Sequence, residues 1–408
     1  MRVFVVQILF VLSQVVAWAS PVADSLRVSL LTCSPGKEIF ELYGHTALRI
    51  TNLTAAANPA TMDNRTNDLV FNFGVFSFNQ PHFIARFIKG DTDYTMDAVP
   101  FDAFLTGYLP NGRHVEEQVL NLNQAEAHRL LQALQDLWMQ DNWSYRYNFF
   151  KDNCTTRARD IIEQSIGGQI IYAQSKSEAP VSYRQIIHEY TQESPWDEIG
   201  QDVLLGAAAD KPINHREQQF VPYHLKNAFT SATIQRADGS RQPLVLQEQQ
   251  YAPDVAATPA AKHISPTAVA IIWLLITAAI VFLRWKKKDP GYLWLYDALP
   301  LLLQGCMGVI IAYLFLFSSH PTVDSNWLLV FLNPIPLVYL PMELIRARKR
   351  QHDYYHEAAT IVLLLFCLLA GLIPQDFPTA IILLAWNLLI LSAGHLVLYR
   401  IFKKQSYK

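Results

Sequence analysis

Apolar residues fall into three regimes along the 408-residue chain: a short run at the start, alternating and helix-periodic stretches in the middle, and long runs from Pro266 onward. The first run, Val3 to Val16, follows Met1-Arg2 and closes on Ala17-Trp18-Ala19, which has the form of a secretory signal cleaved after Ala19. The late runs cover 266–283, 293–317, 328–345, 358–373 and 379–399, most of them near the length that crosses a bilayer as a helix. Five membrane helices are predicted over 266–408. The third and fourth are short and flanked by proline, so a re-entrant hairpin is the alternative for that pair.

The middle regime, residues 20–250, is long enough to bury a core of its own, and 251–265, rich in Ala, Pro and Thr, reads as a linker. Val28 to Leu31, Thr46 to Ile50 and Leu69 to Phe78 are β-rich, and Phe71-Asn72-Phe73-Gly74-Val75-Phe76 alternates like a strand with one apolar face. Residues 123–140 predict a helix capped by Asn123 with Glu126 as its capping-box partner. A second helix is expected to start at Cys154 and end at Gly167-Gly168, with Ala158, Ile161, Ile162 and Ser165 on one face. An exported α+β domain joined to an all-α membrane domain follows.

Basic residues orient the spans. Arg284, Lys286, Lys287 and Lys288 follow the first, Arg346, Arg348, Lys349 and Arg350 the third, and Arg400, Lys403 and Lys404 the fifth, whereas 318–327 and 374–378 contain no Lys or Arg. Positive-inside then puts those two loops outside with the soluble domain, and the C-terminus in the cytoplasm. The formal net charge of −2, without a basic soluble stripe, argues against nucleic acid. Four cysteines are few for a disulfide scaffold. Cys306 and Cys367 lie in spans, which leaves Cys33 and Cys154 outside; a bridge between them would silence Cys154, whose flanks look catalytic, so it is read as free.

The chemistry concentrates in Tyr43-Gly44-His45-Thr46-Ala47-Leu48-Arg49 and Lys151-Asp152-Asn153-Cys154-Thr155-Thr156-Arg157. A Cys at a helix start sits where the helix dipole favours the thiolate, and a His is the natural group to take its proton. His45 alone would read as a core histidine; its pairing with Cys154 raises it. Asn72, on the strand after His45, is the candidate to orient the imidazole. Asn153 and Arg157 are candidates for substrate contact, although Arg157 and Arg159 read equally well as a salt-bridged helix face. In the exterior loop and just beyond it, His320, Asn326 and Asn333 are candidates for head-group or acceptor contact, or plain interfacial caps. No HExxH, two-Cys metal spacing, P-loop or GxGxxG occurs, so no metal or cofactor is expected.

His before Cys in chain order, with Asn-Cys opening a helix, resembles the circularly permuted papain-like folds of the lecithin:retinol acyltransferase type. A closer resemblance spans nearly the whole chain: the signal-like start, Leu30-Leu31-Thr32-Cys33-Ser34-Pro35-Gly36, the two motifs above, and His320-Pro321, Asn326 and Leu332-Asn333-Pro334. It is similar to the Lnb-type family of Bacteroidota, associated with lipoprotein N-acylation. That resemblance implies a Cys/His acyltransferase in the bacterial inner membrane with its first domain in the periplasm. The implied substrates are a phospholipid acyl donor and a diacylglyceryl-cysteine lipoprotein acceptor. Two other classes stay open on the residues alone: a membrane-tethered cysteine peptidase or amidase acting on cell-wall peptides, and a non-catalytic envelope protein that binds lipid or a partner.

Overall fold

The computed structural model describes residues 25–56, 67–77, 81–173, 180–253 and 264–405. The signal-like start and most of the linker lie outside the described residues. Ten strands form two sheets: β1 (Leu26–Cys33), β2 (His45–Asn52), β3 (Asp68–Val75), β4 (Asp93–Pro100), β5 (Val115–Leu120), β6 (Tyr145–Arg146) and β10 (Val245–Tyr251) in the larger, β7 (Gly168–Ile171), β8 (Thr233–Arg236) and β9 (Arg241–Pro243) in the smaller. The larger runs β10-β5-β1-β2-β3-β4-β6 and is antiparallel throughout.

Both faces of its centre are covered, which is why β1 reads as Leu30-Leu31 with no polar break. Val28 and Leu30 of β1, Leu48 and Ile50 of β2, and Phe71 and Phe73 of β3 face two helices, Gln124–Met139 and Cys154–Ser165, through Leu130, Leu134, Ala158 and Ile162. The intervening Leu31, Cys33, Ala47 and Val70 face Phe101 and Phe104. The first helix begins at the expected capping box of Asn123 and Glu126. Its C-terminal Trp138, expected on the apolar face, is instead 45% exposed and meets only the edge of Phe71. The second helix stops at Ser165, short of the two glycines, because Gly168 already opens β7.

The register of β2 prepares the site. Its ladder with β3 runs from Thr51↔Asp68 to Leu48↔Phe71 and stops there, so the strands part before His45 and Gly74. A bulge at Phe73/Val75 turns the end of β3 further. The start of the Cys154 helix packs against this parted end of β2 and β3.

Five helices are long and apolar enough to cross a membrane: Pro266–Lys287, Trp294–Phe317, Trp327–Arg348, Tyr354–Leu372 and Thr379–Phe402. The third is interrupted, a 3-10 turn at Trp327–Val330 giving way to an α-helix at Ile335–Arg348, since Pro334 has no N–H to continue the ladder. The fourth starts at Tyr354, earlier than its apolar run, because Asp353 caps it by accepting from the Tyr355 N–H at 2.8 Å.

The soluble domain is docked on the loops that follow the second and fourth of these helices. Ser319 N–H donates to Lys89 O at 2.8 Å, Gly206 N–H to Thr322 O at 3.1 Å, Ala208 N–H to Ser325 Oγ at 2.9 Å, and Gln375 Nε2 to Leu205 O at 3.2 Å. Val203 joins Leu328, Phe331 and Phe366 in one apolar cluster. The segment that docks is braced from behind by buried Arg184, paired with Asp202 and Asp210 at 2.6 Å each.

Candidate active site

Cys154 is the first residue of its helix, placed there by Asn153. The Asn153 side chain accepts from the N–H groups of Thr155 at 2.8 Å and Thr156 at 3.0 Å, while the Thr156 hydroxyl returns a bond from the Asn153 N–H at 2.9 Å. This cap takes the second and third N–H groups of the helix and leaves that of Cys154 to the site. The Asn153 amide also donates to Phe149 O at 2.7 Å and Phe220 O at 2.9 Å. Every polar group of this side chain is thereby engaged with the backbone. Its role is to start the helix, which replaces the substrate contact expected from the motif.

His45 opens β2, on the same face as Asn72 of β3, whose Oδ1 lies 3.2 Å from His45 Nε2. The Asn72 amide nitrogen donates to Val70 O at 3.3 Å, which turns its oxygen to the ring. With Nε2 facing Asn72, Nδ1 is the nitrogen left for the thiol. Cys154 and His45 are coupled by charge and a direct hydrogen bond. Burial pushes the Cys154 thiol up, but the His45 charge and hydrogen bond, the Thr46 N–H and the Thr155 hydroxyl together bring it from the ordinary 9.0 down to about 7. For His45, burial disfavours the imidazolium, yet the Cys154 charge, with the bonds to Cys154 and Asn72, raises it above the ordinary 6.5. A thiolate–imidazolium pair is what this arrangement stabilises.

The second extramembranous cysteine has the opposite fate. Cys33 pairs across β1 and β2 with His45 and is free, as is Cys154. Burial pushes its thiol up to about 12, which the Tyr108 hydroxyl and Arg113 charge only partly oppose. Three residues beside the pair escaped the motif reading. The Thr46 and Thr155 hydroxyls meet at 3.0 Å and tie strand to helix; Tyr145 lies beside Cys154 across Gly74. Their only sequence signals are adjacency to His45 and Cys154 and the aromatic run Trp143-Ser144-Tyr145-Arg146-Tyr147.

The remaining candidates are placed elsewhere. Arg157 makes a two-pronged ion pair with Asp152 at 2.6 and 2.7 Å and stacks 3.9 Å over the Tyr145 ring, so the salt-bridged reading describes it and the free phosphate ligand does not. His320 Nε2 is 2.6 Å from Phe87 O in the helix Phe83–Lys89, a bond between the two domains. Buried Asn326 donates to Val203 O at 2.8 Å and accepts from Leu328 N–H at 3.0 Å. Asn333 caps the next helix by accepting from Ile335 N–H at 3.1 Å. These three act as interfacial caps and clamps in place of the expected substrate contacts, because unpaired backbone groups at helix breaks lie beside each of them.

Two groups of His and carboxylate come close among the described residues. In His188, Glu198 and Asp202, the Asp202 carboxylate already serves Arg184. In Glu343, His356 and His395, the two imidazoles stack with centroids 4.2 Å apart and planes 6° apart, so their in-plane lone pairs run parallel and do not converge on one ion.

The fold and this site define a class: a multi-pass membrane protein with an extramembranous sheet domain that holds a Cys–His pair at a helix start. A family model described as the Lnb N-terminal periplasmic domain matches residues 16–189, and one described as the Lnb transmembrane domain matches residues 258–404. The chain belongs to the Lnb-type family. No curated protein and no solved structure matches it.

Proposed function

We propose that this protein is a membrane-bound acyltransferase that carries a fatty acyl chain from phospholipid, through a thioester on Cys154, to the N-terminal amine of diacylglyceryl-cysteine lipoproteins. The observation that carries this reading is the Cys154–His45–Asn72 constellation in a domain clamped to the loops of five apolar helices. Both substrates are held in lipid, and such an enzyme must meet them there. The His-then-Cys order supports a permuted papain-like arrangement, and the basic residues after the first, third and fifth helices support a periplasmic site with a cytoplasmic C-terminus. Residues 1–19 serve as the export signal in this reading.

In the first half-reaction the Cys154 thiolate attacks the ester carbonyl and its π pair moves to oxygen. Collapse re-forms the carbonyl, breaks the C–O bond and releases lysophospholipid, whose alkoxide takes the proton from the His45 imidazolium. In the second, the lipoprotein amine attacks the thioester, neutral His45 takes its proton, and the thiolate leaves. An α-amino group, of pKa about 7.7–8.0, is partly neutral near pH 7, whereas a lysine near 10.4 is not.

The test is intact mass of the full-length protein after incubation with phospholipid vesicles at neutral pH. A hydroxylamine-labile adduct of fatty-acyl mass is expected on the wild type and absent from Cys154→Ser. Wild-type protein that stays unacylated would turn the assignment toward peptide-bond chemistry or binding.

A further inference from the structure

The Cys154 N–H gives an ester oxyanion one donor, and the reaction proposed above calls for a second. The structure offers an unusual group at that place. Tyr145, in β6, is 6% exposed, and its hydroxyl is buried without a hydrogen-bond partner among the described residues. A buried phenol generally finds a partner, and leaving one unmatched costs about 1–3 kcal/mol.

Gly74 locates that hydroxyl relative to the thiol. A Cβ built on Gly74 would sit 3.6 Å from Cys154 Cβ and 3.7 Å from the Tyr145 hydroxyl. Thiol-bearing carbon and phenol oxygen therefore look onto the same spot, which stays open because Gly74 has no side chain. With φ of +91° the position also favours glycine on backbone grounds. A carbonyl oxygen bonded to a carbon that Cys154 attacks fits such a gap.

The ring is held from several sides. β6 pairs with β4 through Tyr145↔Tyr94. Trp143 lies against it with centroids 5.7 Å apart, and the Arg157 guanidinium, fixed by Asp152, covers its face at 3.9 Å. A cation on the ring face draws electron density from the phenol and strengthens its O–H as a donor. Burial holds the Tyr145 hydroxyl well above the ordinary tyrosine range, so it remains protonated at neutral pH.

We propose that the Tyr145 hydroxyl is the side-chain donor of the oxyanion site, positioned by Arg157 and given access by Gly74. It donates to the oxygen that becomes negative when the Cys154 thiolate adds to the carbonyl, and again when the amine adds to the thioester. This rests on the acyl-transfer reading. Arg157 thereby becomes a positioning residue, which acts through Tyr145 and touches no substrate.

The experiment compares wild type with Tyr145→Phe in the full-length protein, using vesicles of phosphatidylethanolamine and phosphatidylglycerol as acyl donor and iodoacetamide as a second probe. Alkylation by iodoacetamide displaces iodide and forms no oxyanion. The expected result is a fall in acylation rate of about 10²–10³-fold, the effect of losing one oxyanion donor, with alkylation unchanged. Acylation of Tyr145→Phe at the wild-type rate would overturn the proposal. So would equal falls in both rates, since the ring would then be holding the thiol. Wild-type protein that alkylates normally and never acylates would remove the acyl-transfer reading itself, and this donor with it.

Discussion

Cys33 and Cys154 lie near the same end of the sheet, and their environments drive them apart. Cys154 meets a cation and three donors, and Cys33 meets mainly burial, which leaves one thiol at about 7 and the other at about 12. The thiolate, not the thiol, reacts with alkylating agents. Cys154 is an acid whose pKa is lowered, so its reactivity appears as pH rises through about 7, two units below the ordinary 9.0. Iodoacetamide labelling mapped by peptide mass is expected to follow that midpoint on Cys154 and to leave Cys33 unmodified at pH 7–8. In His45→Ala the Cys154 midpoint is expected to move up past the ordinary value, because the burial that remains opposes the charge. Equal labelling of both cysteines at pH 7 would contradict this account.

The Cys154 helix depends on Asn153 for its start. Loss of an Asn cap costs about 0.5–2 kcal/mol, and Asn153→Ala would also strip partners from two carbonyls in the aromatic cluster of Phe149, Phe150 and Phe220. The expected outcome is a lower thermal midpoint and slower alkylation of Cys154, since the thiol loses its placement at the helix end. A substrate-binding role would leave the midpoint of the unliganded protein where it is. The same logic explains the parted end of β2 and β3. Pairing carried through to His45↔Gly74 would close the space that the helix start occupies.

At the scale of the whole molecule, the soluble domain and the membrane helices fold onto each other at a tight backbone crossing. Gly206 shows this best: a Cβ there would lie 2.5 Å from Ser325 C and 2.6 Å from Asn326 N and Thr322 O, with backbone on every side. Gly206→Val is expected to loosen the docking without touching the Cys–His pair. Hydrogen exchange should then rise at Thr322 to Leu328, while the pH midpoint of Cys154 alkylation stays at about 7. With lipid vesicles, acylation by this variant should fall more than its alkylation does, because the site no longer sits squarely over the membrane.

Signals that act over a few residues were legible along the chain. The five apolar runs, the capping box at Asn123, the strand alternation around Phe71 and the helix start at Cys154 all depend on neighbours within one or two turns. The pairing of His45 with Asn72 could be guessed from residue type, yet that they meet follows from the β2–β3 register, a long-range property. The polar side chains near the motifs were less legible. Whether an Asn or Arg faces a substrate or a neighbouring backbone depends on which donors and acceptors the fold leaves unpaired beside it. Asn153, Arg157, His320, Asn326 and Asn333 each found such a partner, and Tyr145 did not. The sequence by itself determined the membrane plan and the two reactive residues, because periodicity and residue chemistry are local. Tertiary structure alone decided which thiol is acidic and which polar groups are free, because both depend on atoms brought together from distant parts of the chain.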